Sequence, residues 1–229
     1  CAGKTAACTV KFTVNAPPGG CCIQPPGNMV AWWPLDELTG ATLFADATGN
    51  GHTAIVESGG PLGNFLSPSP MLGMVAGSSY FIDNNTRGRA LNAPLLNFGS
   101  GSFTMDCWFW PVDQGPFNRW QPFIDKFNPN TLLGYTVGIT NYISGPNNFG
   151  RVAITVGAGT ASTYYSVATV NFSAWNFVGI IVDRAANTVQ FNINGAIEPP
   201  IALTLAGSIN NALDLFLGAT QTGMNATEV

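Results

Sequence analysis

The sequence predicts an all-β protein built as a two-sheet antiparallel sandwich. Three observations predict it. Short runs alternate apolar with polar residues, 27 glycines and 16 prolines fall between those runs, and no stretch of convincing length carries a 3.6-residue apolar repeat. Turns this frequent leave little room for helices. A body of about 200 residues is also long enough to enclose one sandwich core.

The first element is Thr9–Asn15, TVKFTVN, where Val10, Phe12 and Val14 alternate with Thr9, Lys11 and Thr13. One face of this strand needs a partner. The stretch APPGGCCIQPPGN that follows holds four prolines and three glycines without periodicity, which predicts a stiff linker. The organisation is therefore an arm or the end of a preceding β-domain at 1–16, a Pro/Gly/Cys-rich linker at 17–28, and a body at 29–229. Within the body the clearest strands are Phe103–Phe109, Tyr135–Ile139, Arg151–Val156, Phe177–Asp183 and Thr188–Ile193. Val152, Ile154 and Val156 share one face, as do Val189, Phe191 and Ile193. Asn194-Gly195 predicts a two-residue type I′ hairpin, which needs positive φ at both positions.

Composition narrows the function. Eight Lys+Arg against twelve Asp+Glu leave a net charge of −4, and only 9% of residues are charged, against roughly 25% in an ordinary domain. A 46% hydrophobic content argues against a disordered chain. No apolar run approaches the ~18 residues of a membrane-spanning helix, and no basic block is present to neutralise a row of phosphates. The partners expected are thus neither nucleic acid nor a bilayer core.

Four of the five cysteines, Cys1, Cys8, Cys21 and Cys22, lie within the first 22 residues. A bridge between Cys1 and Cys8 would close a short loop and fit an oxidising compartment, although spacing alone leaves the connectivity open. No C-x₂-C zinc spacing occurs. Cys107, inside an apolar strand, reads as a small buried hydrophobe rather than a nucleophile. The start at Cys1 is that of a trimmed precursor or an excised fragment, and Cys1-Ala2-Gly3 also resembles a processed bacterial lipoprotein end. His52, the one histidine, reads as a solvated turn residue in a Gly-rich loop.

Four segments, in order, resemble laminin-G-like, concanavalin A-like jelly-roll domains: VAWWPLDELTGATLFADATGNG (30–51), GSFTMDCWFWP (101–111), GYTVGI (134–139) and AWNFVGIIVDRAANTVQFNING (174–195). The resemblance covers 29 to about 219. It implies a concanavalin A-like jelly-roll sandwich opening on the Trp-Pro-Leu-Asp-Glu strand. Two departures stand out: the usual closing Phe-x-Gly-x-Ile-Asp-Glu-Val strand is missing after LFLGATQTGMNATEV, and GSSYFIDNNTRGRALNAP follows the family pattern only loosely. A missing closing strand implies an open sheet edge, a gap filled by another chain, or a truncation.

Catalysis is not expected. Glycoside hydrolysis needs two carboxylates roughly 5–9.5 Å apart, and none of Glu37, Glu57, Glu198 or Glu228 sits in such a strand pattern; Asp36 and Glu37 are adjacent and so would point to opposite faces. No Gly-x-Ser-x-Gly elbow is present to pair with His52. Asp46, Gly49 and Asn50 in DATGNG supply oxygens suited to calcium, a cofactor the resemblance makes less arbitrary, while the same residues also stabilise turns. Sugar rings stack on aromatic faces as other rings do. Trp110, Trp120 and the pair Tyr164-Tyr165 lie where strands give way to loops and are the ligand candidates, whereas Trp33, Trp108 and Trp175 read as core or near-core. Sequons at Asn84, Asn171 and Asn225 matter only in a glycosylating host.

The expected function is a non-catalytic binding or adhesion module, secreted or at the cell surface, for a glycan or a protein. The alternative is a subunit of an extracellular filament, in which Val10, Phe12 and Val14 of one copy add a strand to the open edge of the next.

Overall fold

The computed structural model describes residues 25–35, 37, 41–58, 86–111, 120–140 and 149–221. Cys1, Cys8, Val10, Phe12 and Val14, and with them the expected bridge and arm, lie outside the described residues.

The architecture is an antiparallel two-sheet jelly-roll sandwich. The described strands are β1 (Leu43–Phe44), β2 (Ala54–Ser58), β3 (Thr86–Ala90), β4 (Phe103–Phe109), β5 (Gln121–Asn128), β6 (Leu133–Ile139), β7 (Arg151–Ala158), β8 (Ala161–Thr169), β9 (Asn176–Asp183), β10 (Thr188–Ile193), β11 (Ala196–Ile197), β12 (Ile201–Ala202) and β13 (Leu215–Leu217). Among the described residues one sheet runs β1-β2-β3-β13-β5-β6-β7-β8, and the other runs β11-β10-β9-β4 with β12 also beside β10. The helical content of the described residues is one 3₁₀ turn, Pro94–Leu96. No described helix is long and apolar enough to cross a membrane.

Period-2 alternation builds the core as the sequence predicts. Val152, Ile154 and Val156 of β7 are fully buried, and Val189, Phe191 and Ile193 of β10 are 0–3% exposed. They meet Val178, Ile180 and Val182 of β9 and Tyr135, Val137 and Ile139 of β6 in one cluster. Burying a side chain of this kind contributes about 1.5–3 kcal/mol, so the inner faces dominate stability. Asn194 and Gly195 take φ of 53° and 87°, the two positive values a type I′ turn requires.

Buried polar groups tie loops onto this frame. Glu198 accepts from two successive amides of β8, Val167 N–H and Ala168 N–H, both at 2.7 Å, linking the two sheets. Lys126, wholly buried, donates from Nζ to the Asn92 side chain and to the Leu213 carbonyl. Asp125 on β5 is buried beneath the segment after β13, where it accepts the Gln221 N–H at 2.7 Å. Burial pushes its carboxyl up to about 6, against bonds from Thr136 and Gln221 that pull it down.

Two expectations are corrected. The Trp-Pro-Leu-Asp-Glu stretch forms no strand across its described residues, because Pro34 has no N–H to donate and Leu35 takes φ of 56°, which breaks an extended ladder. His52 is buried at 6% exposure rather than solvated. Its backbone is held from both sides: its N–H donates to Asp46 Oδ2 at 3.0 Å, and its carbonyl accepts from Trp33 Nε1 at 2.7 Å.

Candidate ligand-binding face

The outer surface of the five-stranded sheet carries the chemistry that stands out. Along β4 the residues Phe103, Met105, Cys107 and Phe109 turn inward to the core, which sends Thr104, Asp106 and Trp108 outward. Trp108 lies opposite Phe177 in the β4–β9 register, with ring centroids 5.4 Å apart. Trp108 is 44% exposed and Trp110 is 48% exposed. This corrects the core reading of Trp108: both alternating sets of β4 contain large apolar residues, and the set containing Phe103 and Phe109 claims the interior.

A local network sets the end of this face. Trp110 meets Trp175 edge-on, centroids 5.8 Å apart at an interplanar angle of 82°, a preferred geometry for aromatic pairs. Trp175 belongs to a turn fixed by Asn176, which is fully buried. The Asn176 side chain donates to the carbonyls of Asn171 and Ala174 and accepts the Asn171 N–H, all within 2.9 Å. Ser173 N–H in turn donates to the Pro111 carbonyl at 2.9 Å, beside Trp110. Both tryptophans are thereby presented by backbone that has little freedom.

The remaining ligand candidates separate. Phe109 and Phe123 contact at 4.3 Å, which brings half-buried Trp120 to the same end of the sandwich as Trp110. Tyr164 does not join the face. It is 7% exposed, and its hydroxyl accepts the Thr204 N–H at 3.1 Å, because the alternation of β8 turns this ring inward. Tyr165 is half-buried on the opposite face of the larger sheet.

Asp46, Gly49 and Asn50 form a tight turn. Asp46 Oδ1 accepts from Trp32 N–H, Thr48 N–H and the Thr48 hydroxyl at 3.1, 3.0 and 2.7 Å, and Oδ2 accepts from His52. Burial works to raise this carboxyl, but the bonds from Thr48, His52 and Trp32 outweigh it and hold it below the usual range. Gly49 takes φ of 81°, and Asn50 Nδ2 donates to the Met29 and Val30 carbonyls at 3.0 and 2.8 Å. A calcium ion needs lone pairs left open toward one point. Here the carboxylate faces donors, so the loop as folded is held by hydrogen bonds and does not fit a cation cage.

The described glutamates have structural partners. Glu57 pairs with Arg87 and Arg89, Glu37 accepts the Ala45 N–H, and Glu198 clamps β8. Cys107 packs against the core, and burial pushes its thiol up to about 12, far from a nucleophile's range.

No protein-family model matches the chain, and no curated protein matches its sequence. Solved structures do resemble it. Domain 4 of AbnA, a GH43 extracellular arabinanase from Geobacillus stearothermophilus in complex with arabinotriose, shares 12% identity at a TM-score of 0.53, over 76% of this chain and 77% of that one. The botulinum neurotoxin serotype G binding domain shares 15% at 0.53, over 75% of this chain. Botulinum neurotoxin type C, whose cell entry depends upon interaction with two ganglioside molecules, shares 13% at 0.51, over 83% of this chain. The chain spans only 40% and 42% of those two toxin chains. Identities this low establish the sandwich fold and nothing finer.

Proposed function

We propose that the domain is a non-catalytic, extracellular binding module that holds a glycan against the aromatic face formed by Trp108 and Trp110. The observation that carries this reading is the pair of tryptophans, each nearly half exposed, with Phe177 beside Trp108 across the strand pair and Trp175 edge-on to Trp110. Exposed Ile181 and Ile197 extend the apolar ground, and apolar patches on a soluble surface mark sites of contact. The flat side of a sugar ring presents C–H groups that pack on such rings while its hydroxyls face polar neighbours. The similar arabinanase domain, which holds arabinotriose, supports a sugar as ligand and an extracellular setting.

The test is a glycan array followed by calorimetry on the tightest binder. Trp108→Ala and Trp110→Ala each weaken binding at least tenfold while the melting temperature moves by only a few degrees. Silence across the array, or unchanged affinity in both variants, ends this reading.

Assembly through strand donation is the second reading, favoured by the position of β4: among the described residues it pairs with β9 on one side only. Deleting residues 1–16 abolishes filaments seen by negative stain if the arm is the donor, and filaments that survive the deletion exclude it.

A further inference from the structure

Asp106 sits in the middle of the aromatic face. It lies two positions from Trp108 on the same side of β4, and opposite Gly179 in the register. Asn192 of β10 faces Gly179 from the other side. Gly179 contributes no side chain, and a Cβ placed there would touch the Phe177 ring at 3.6 Å and Asn192 Cβ at 3.5 Å. The Phe177 ring therefore covers the gap between the two polar residues. The Asp106 carboxylate is exposed and takes part in none of the hydrogen bonds or ion pairs of the described residues. The Asn192 amide oxygen is covered and has no hydrogen-bond partner.

Among the described residues Asp106 is the lone anion in the middle of this face. By strand alternation, its outward neighbours on β4, β9 and β10 are Thr104, Trp108, Phe177, Ile181 and Gln190, none of them charged. Asp183, at the far end of β9, is spent on the Ser102 hydroxyl and the amides of Ala185 and Ala186. The Arg184 guanidinium turns to the carbonyls of Leu205 and Gly207. Packing also raises the Asp106 carboxyl above its ordinary range, as expected for a carboxylate on apolar ground.

Resting on the glycan reading above, we infer that Asp106 sets the specificity of this face: it accepts hydrogen bonds from the hydroxyls of a neutral glycan and repels acidic ones. A ligand that brings hydroxyl donors gives the carboxylate partners stronger than neutral pairs. A uronate or sulfate placed over Trp108 brings a second anion beside this carboxylate, and among its described neighbours on the sheet no cation offsets the repulsion.

The test uses the whole chain with two probes of equal length, arabinotriose as the neutral one and trigalacturonate as the acidic one. Arabinotriose binds at least tenfold tighter than trigalacturonate, and raising the salt narrows the gap. Asp106→Asn, with Asp106→Ser as a second variant, brings the probes to within about threefold by strengthening the acidic one, whereas Trp108→Ala weakens both. Equal or tighter binding of trigalacturonate by the wild type, or a gap unchanged in both Asp106 variants, overturns the inference and leaves the glycan reading standing. Binding of neither probe, with a silent array, removes both.

Discussion

Removing the Asp46 carboxylate tests how the N-terminal part of the body is held. Asp46→Ala strips the acceptor from three backbone amides, those of Trp32, Thr48 and His52, and from the Thr48 hydroxyl. Hydrogen bonds to a charged group are each worth about 1.5–3 kcal/mol. Asp46 is only half-buried, so water takes over part of the loss, and bonds to one carboxylate do not add. A net cost of about 3 kcal/mol follows, which for a domain of this size is about 6–12 °C in melting temperature. Differential scanning calorimetry measures it, and tryptophan emission reports whether Trp32 and Trp33 loosen in the same transition. The carboxyl sits below its ordinary value in the fold, so its contribution is complete above the unfolded pKa and is lost as pH falls through the folded one. Asp46→Asn therefore flattens the acid side of the stability profile. Because the carboxylate is already occupied by donors, millimolar calcium and excess chelator give melting temperatures within about 1 °C. A loss under 2 °C in Asp46→Ala, or a calcium-dependent rise above 5 °C, refutes the hydrogen-bonded turn.

Asp125 works in the opposite sense: burial holds its carboxyl at about 6 in the fold, above the ordinary aspartate range. Its stabilising contribution is complete below the unfolded pKa and is lost as pH rises through 6, a swing of about 3 kcal/mol that Asp125→Asn removes in denaturant titrations at pH 4 and pH 7. Cys107 resists alkylation at pH 8 in the native protein and reacts in denaturant, as peptide mapping by mass spectrometry reads directly; native labelling contradicts the buried thiol. Gly157→Ala places a methyl against the Leu132 carbonyl oxygen, and backbone cannot step aside as a side chain can, so about 3 kcal/mol is lost. A melting temperature within 2 °C of wild type shows that strands β6 and β7 have more play than their register implies.

Much of the architecture was legible one strand at a time. Phe103–Phe109 and Thr188–Ile193 coincide with β4 and β10, and Asn194-Gly195 makes the turn its residue types require. Where reading failed, a local signal was overruled by distant partners. His52 looked solvated among glycines, yet Asp46 and Trp33 draw it inside. Tyr164 reads as a ligand candidate at a strand end, but it lies inside β8, and Thr204, forty residues away, donates its N–H to the Tyr164 hydroxyl.

The alternation of apolar and polar residues by itself determined that the chain forms a sandwich, because burying one side of each strand is a requirement written into neighbouring residues. Which side of β4 faces water was a tertiary decision, since Trp108 and Phe109 are both fit for a core and only the opposing sheet chooses between them. The same holds for Asp106: its neighbours Phe177, Gly179 and Asn192 lie some seventy or more positions along the chain, and only strand pairing brings them beside it.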